Sequence, residues 1–244
     1  MVKPSAVHFS EIDSTNSFLK LRIKEGDFRY NVVSAAVQTR GRGRGENSWI
    51  SLSGNIHFSV AIQIADSSLA KYMGPWCSYC TSRLLEETFN FQPELKWPND
   101  LLFNGKKLGG FLLEFVTTPQ NTEFIICGVG INANITPTQV KDFSFAPVSI
   151  KEISDKPVET ENIILNLSSE ILKFTPTPKV LEIIHHFAVN NTSTLGKFVS
   201  VKLPGNKIIS GTAIKITDTF SLIVDTGKEF VEITGGDLNH SSGR

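Results

Sequence analysis

"KWPNDLLFNGKKLGGFLLE", residues 96–114, decides how the middle of the chain folds. Asn104-Gly105 stands between two apolar runs and favours a two-residue type I′ turn, because both positions tolerate positive φ. That turn sets the register: Phe103 pairs with Lys106, and Leu102 with Lys107. Side chains alternate between faces, so Asp100, Leu102 and Lys107 point the same way. Asp100 and Lys107 become diagonal neighbours, roughly 7–8 Å apart at their α-carbons. Lys96 shares that face only if the strand stays regular through Pro98, and a proline works against that. A lysine beside an aspartate is ordinarily a surface ion pair worth ~0–1 kcal/mol. Here Gly109-Gly110 follow at once, and adjacent glycines weaken a strand. They are tolerable where a ligand must touch backbone. GVGIN at 128–132 repeats the pattern. Two strands of bare backbone near a lysine and an aspartate outline a ligand slot.

Working outward, STNSFLKLRIKEG reads as a helix capped by Ser14 or Thr15. NVVSAAVQT reads as a strand feeding a glycine-arginine loop. GNIHFSVAIQI alternates over Ile56, Phe58, Val60 and Ile62 and is a strand. MGPWCSYCTSRLLEETF is helical. ELKWPNDLLF, KKLGGFLLEFV and TEFIICGVGINANI read as three more strands. ENIILNLSSEILKF and KVLEIIHHF follow as helices. Near Asn190 the composition changes to short strands separated by turn pairs, which suggests a small β-barrel. The expected division is residues 1–190 and residues 191–244.

The chain has 244 residues, with 24 Lys plus Arg against 24 Asp plus Glu. Zero net charge argues against a general polyanion binder. No apolar run approaches the ~18 residues of a membrane span, and MVKPSAVHFSEIDS lacks a signal core. A cytoplasmic protein is expected. WCSYC looks like a redox Cys-x-x-C, but it sits in a helix with no strand leading into it. A structural zinc site needs four ligands. Cys77, Cys80 and Cys127 are read as buried packing residues.

QTRGRGRGENSW, residues 38–49, alternates arginine with glycine. It is neither a P-loop nor a Rossmann turn, since the spacing is wrong and no helix follows. It can be a solvated basic turn, a single-strand nucleic-acid contact, or an anion clamp of backbone N–H and guanidinium groups. In the last case Trp49 offers a flat surface for an adenine base.

Together, IDSTN at 12–16, QTRGRGRGENSW at 38–49, KWPNDLLFNGKKLGGFLLE at 96–114 and GVGINAN at 128–134 spell a family. The chain resembles the biotin protein ligases over nearly its whole length. The resemblance implies an α+β fold: a mixed β-sheet catalytic domain flanked by helices, class II synthetase-like, followed by an SH3-like barrel. It implies that biotin and ATP, with Mg²⁺, give biotinyl-5′-AMP and pyrophosphate. The biotin then passes to a lysine of the biotin-carrier domain of acetyl-CoA carboxylase or a related carboxylase.

By resemblance, Ser14, Thr15, Asn16 and Gln38 hold the head of biotin. Gly41, Arg42, Gly43 and Arg44 fold over carboxylate and phosphate. Lys107 reaches both reacting groups, and Lys107, Arg42 and Arg44 are the catalytic cations. Trp49 and Asn132 contact adenine. Gly110, Gly128 and Gly130 line the slot, and Asn99 and Asp100 mark the Mg-ATP end, with Asp100 the one weak candidate for contact to the metal. The charges suit the task, since two anions 4 Å apart repel by ~4 kcal/mol at an effective dielectric of 20, and fixed cations cancel this without reorganising. Glycines would let the loop open, and arginines would give it an anion to close on.

Two departures stand out: Glu46 where the family usually has glycine, and Ser-Leu-Ser-Gly after Trp49. IDSTN begins too near the N-terminus for a helix-turn-helix domain ahead of it, so no DNA partner is expected. A monomer or weak homodimer is expected. Lipoate or octanoate attachment on the same fold, and an Arg-Gly nucleic-acid module, are the competing readings.

Overall fold

The computed structural model describes residues 4–45, 47–136 and 146–240; Glu46 lies outside them. The chain runs β1 (Ala6–Ile12), α1 (Thr15–Lys24), β2 (Val32–Gln38), β3 (Ile56–Ile64), α2 (Met73–Phe89), β4 (Glu94–Lys96), β5 (Asp100–Phe103), β6 (Lys106–Thr117) and β7 (Glu123–Ile131). It continues with α3 (Ile150–Ser154), α4 (Thr160–Ile171), α5 (Pro178–Asn190), β8 (Phe198–Lys202), β9 (Ile208–Ile216), β10 (Leu222–Asp225), β11 (Phe230–Ile233) and β12 (Asp237–His240).

The first seven strands form one mixed sheet in the order β1-β2-β3-β7-β6-β5-β4. β1 and β2 are parallel, joined by α1 as a crossover, and the remaining pairs are antiparallel. Ser14 caps α1, its side chain accepting from the Ser17 N–H, and Leu19 and Ile23 pack on Val33, Ala61 and Ile126. The opposite face carries α2 and α4, which bury Phe58, Val60, Cys77, Leu85 and Leu167 in the main core. Helices on both faces explain why β3 is buried nearly throughout. Its alternation suggested one core face, yet His57 and Ser59 on the other are also fully buried.

ELKWPNDLLF is two strands rather than one. Trp97, Pro98 and Asn99 form a turn, and β4 folds back antiparallel on β5 with Lys96 opposite Asp100. Pro98 has no N–H to offer a ladder, so a continuous strand is disfavoured at that point. The Asn104-Gly105 turn has the expected positive φ at both residues, 50° and 73°. Leu102↔Lys107 and Phe103↔Lys106 pair as the turn chemistry requires. Beyond them a bulge at Leu108 shifts the register, so Asp100 faces Gly110.

β8 to β12 form a second, five-stranded antiparallel sheet in the order β11-β10-β9-β8-β12, consistent with an SH3-like module. Its core shares Leu95 and Trp97 with the first sheet and Ile184 and Ala188 with α5. Trp97 Nε1–H donates to the Phe220 carbonyl at 2.8 Å. Leu95 exchanges backbone bonds with the 191–193 segment, its N–H donating to the Asn191 carbonyl and its own carbonyl accepting from the Ser193 N–H, which covers the β4 edge that would otherwise be open to pairing.

Candidate active site

Register brings five residues into one transverse row across five strands: His57 on β3, Gly130 on β7, Gly110 on β6, Asp100 on β5 and Lys96 on β4. A second row sets Ser59 beside Gly128 and Leu112. These rows floor a cavity of about 540 Å³ on the α1 face of the sheet, roofed by the 41–49 loop and edged by β12. Of the site residues expected from sequence, all but Gly41 line this cavity. Gly41 holds the loop in shape instead. Its carbonyl accepts from the Trp49 N–H at 2.9 Å, and a Cβ there would collide with the Trp49 carbonyl oxygen.

The glycines serve side chains as much as a ligand. A Cβ on Gly110 would sit 2.9 Å from Asp100 Oδ1, and one on Gly130 would sit 2.5 Å from the Trp49 ring. A Cβ on Gly128 would overlap the Asn16 amide. Bare backbone therefore admits three polar or aromatic side chains into the slot.

At one end, Thr15 N–H and Oγ1–H both donate to Gln38 Oε1, at 2.9 and 3.1 Å. Ser59 Oγ lies 2.6 Å from Thr15 Oγ1 and 2.5 Å from Asn16 Oδ1, and its single proton serves one at a time. Asn16 Nδ2 donates to Glu114 Oε2 at 2.9 Å. Glu114 also binds Lys20 and Arg42. Burial pushes the Glu114 carboxyl up, but the bonds from Asn16 and Lys20 and the Arg42 charge outweigh it and leave it below its ordinary value.

At the other end, Asp100 takes Lys107 Nζ at 2.8 Å on one oxygen and Lys96 Nζ at 3.1 Å on the other. Burial raises Asp100, and the two ammonium groups together more than reverse that. Lys96 is only 6% exposed, and burial draws its amine down. Each Asp100 oxygen thus holds one lysine ammonium group. Among the described residues no cluster of His, Cys, Asp or Glu could hold a metal. Lys107 Nζ also stands 5.8 Å above the Trp49 ring. Asn132 ties the start of β6 in place, its Nδ2 donating to the Lys107 and Val148 carbonyls.

Arg44 spans two modules. Its Nη1 donates to Asn99 Oδ1 at 3.1 Å and to the Gly236 carbonyl at 2.9 Å. Burial lowers its pKa, opposed by Asp237 and Asp100. Arg42 and Arg44 are thus anchored to protein partners, which a solvated basic turn would not need.

Sequence reasoning did not single out Ser59, His57, Glu114, Asn55 or the β12 edge. Asn55 Oδ1 accepts from the backbone N–H groups of Ala133, Asn134 and Ile135, fixing the turn after β7. Cys77, Cys80 and Cys127 are buried and free, as expected.

Cations held around a slot by protein partners suit an enzyme that must bring acidic groups together. The family model described as the Biotin/lipoate A/B protein ligase family matches residues 9–132, and the chain belongs to that family. It is 27% identical over 241 residues to the biotin–[acetyl-CoA-carboxylase] ligase of Mycobacterium tuberculosis, covering 95% of this chain and 87% of that protein. It superposes on the R40G mutant of the Aquifex aeolicus biotin protein ligase, in complex with biotin, with a TM-score of 0.79 and 25% identity, over 97% and 99% of the two chains. The Leishmania major biotin protein ligase with biotinyl-5-AMP shares the fold, at a TM-score of 0.65 and 21% identity over 99% and 100% of the chains.

Proposed function

We propose that the protein is a biotin–protein ligase. An oxygen of the biotin carboxylate attacks the α-phosphorus of ATP, the bond to the β-phosphate oxygen breaks, and pyrophosphate leaves. The amine of a carrier lysine then attacks the acyl carbon of biotinyl-5′-AMP. AMP departs with its oxygen, and the amine loses a proton as the amide forms. The observation that carries this reading is the Lys107–Asp100 pair at 2.8 Å, in one cavity with Trp49 and both loop arginines.

In this reading the Thr15, Asn16, Gln38 and Ser59 network takes the ureido head of biotin, because it offers donors and acceptors whose orientation is already fixed. Trp49 takes the adenine. Lys107 and Arg44 stand where carboxylate and phosphate meet, and Lys96 reinforces the positive field through Asp100. Donors fixed before the reaction act without reorganisation. Magnesium enters with the nucleotide as the counter-ion of its phosphates. The acceptor is the carrier domain of a carboxylase, supported by the name of the mycobacterial relative.

The test is pyrophosphate release from ATP that depends on added biotin. Calorimetric titration with biotin and with lipoate separates the two branches of the family: preferential binding of lipoate would overturn the proposal.

A further inference from the structure

We propose that His57 is a positioning residue for the nucleotide half of the site, holding the Trp49 indole in place over Gly130 through one fixed imidazole tautomer. The inference rests on the proposed ligase reaction.

His57 Nε2 lies 3.3 Å from the Leu52 carbonyl oxygen. A carbonyl only accepts, so the proton is on Nε2. Nδ1 is then a bare lone pair, and Trp49 Nε1–H, which can only donate, reaches it at 3.3 Å. His57 is fully buried, so water does not compete for either nitrogen. Directly across the ladder from His57 stands Gly130, whose missing side chain is what lets the indole lie against β7. The ring is thus fixed from beneath by bare backbone and along its edge by the imidazole. A hydrophobic residue at 57 would support the ring but leave it free to turn over about its own axis. A base-stacking surface whose plane and edge are set before the ligand arrives binds more tightly, because less has to be ordered on binding. Burial holds His57 well below the usual imidazole range, at about 4, so the acceptor persists across the neutral range.

Three substitutions in the full chain separate this role from packing. His57→Asn keeps an acceptor near the Nδ1 position. His57→Gln keeps a donor toward Leu52. His57→Phe keeps neither. The readouts are KM for ATP, KM for biotin, and the indole N–H resonance of Trp49, assigned by its loss in Trp49→Phe. His57→Phe is expected to raise KM for ATP on the order of tenfold, about what one hydrogen bond contributes, with KM for biotin unchanged within about twofold. His57→Asn should recover most of the loss and His57→Gln little. In a Trp49→Phe background, His57→Phe should add nothing further to KM for ATP, since the two act as one unit. Equal changes in both KM values, recovery by Gln no worse than by Asn, or simple additivity with Trp49→Phe would overturn the proposal. If the wild type releases no biotin-dependent pyrophosphate, the ligase reading fails on its own. ATP titration of the Trp49 resonance then decides: His57→Phe must weaken the ATP-induced shift, and an unchanged or absent shift overturns the positioning role.

Discussion

Asp100 is opposite Lys96 and beside Lys107, and removing its carboxylate does two separable things. Asp100→Ala leaves Lys96 buried without its aspartate, which should cost on the order of 3 kcal/mol of stability, read as a fall in urea midpoint. It also unpins Lys107, so adenylate formation should slow. Lys107→Ala should slow the same step with little loss of stability, because its amine is partly exposed; single-turnover formation of biotinyl-AMP checks the shared defect, and the urea midpoint separates the two variants. His57 adds a pH dependence. Its folded value of about 4 lies below the ordinary 6.5, so between these limits the unfolded chain binds the extra proton and stability falls as pH falls. The interval corresponds to roughly 3 kcal/mol. Wild type should lose more stability than His57→Phe between pH 6.5 and 4, and parallel urea midpoints over that window would refute this. Lys107 and Asp100 were legible from sequence because a two-residue turn fixes register by arithmetic. His57 and Ser59 were not. In a strand that alternates, a polar residue looks the same whether it faces water or a second layer of protein.

At the scale of elements, β7 carries two glycines with different tenants, Asn16 over Gly128 and Trp49 over Gly130. Gly128→Ala should displace Asn16 and raise KM for biotin. Gly130→Ala should lift the indole and raise KM for ATP. Each effect is expected to be on the order of tenfold or more, as the shape of a preformed pocket is disturbed. Steady-state titration of both substrates checks the pair, and a uniform rise in both constants for either variant would contradict the division of the slot. The sequence announced most elements correctly, since β3, β6, β7, α2, α4 and α5 carry clear periodicity. It hid β4 and β5 inside one apparent strand, because three residues suffice for each arm of that hairpin. It also hid β1: Val7 and Phe9 alternate, but the segment is short and its partner β2 lies beyond a helix.

For the whole molecule, Arg44 joins the 41–49 loop to the second sheet through the Gly236 carbonyl and to the first through Asn99. Arg44→Gly removes both ties. The variant should still form biotinyl-AMP but release it, measured as biotin on bystander protein in solution; labelling equal to wild type would show that the loop closes without this residue. The small β-module was legible from its turn pairs. Its reach into the cavity was not, because the contact uses main chain. A peptide oxygen is common to every residue type, so this bond leaves no mark on side-chain identity, even though the neighbouring Asp237 adds its charge toward Arg44. The bend that aims it does leave such a mark. Gly236 has φ 152°, and a Cβ there would lie 2.6 Å from Val201 Cγ1. An exchange as small as Gly236→Ala in the terminal module would therefore be felt as a loosened grip on an arginine nearly two hundred positions earlier, with every side chain of the slot intact.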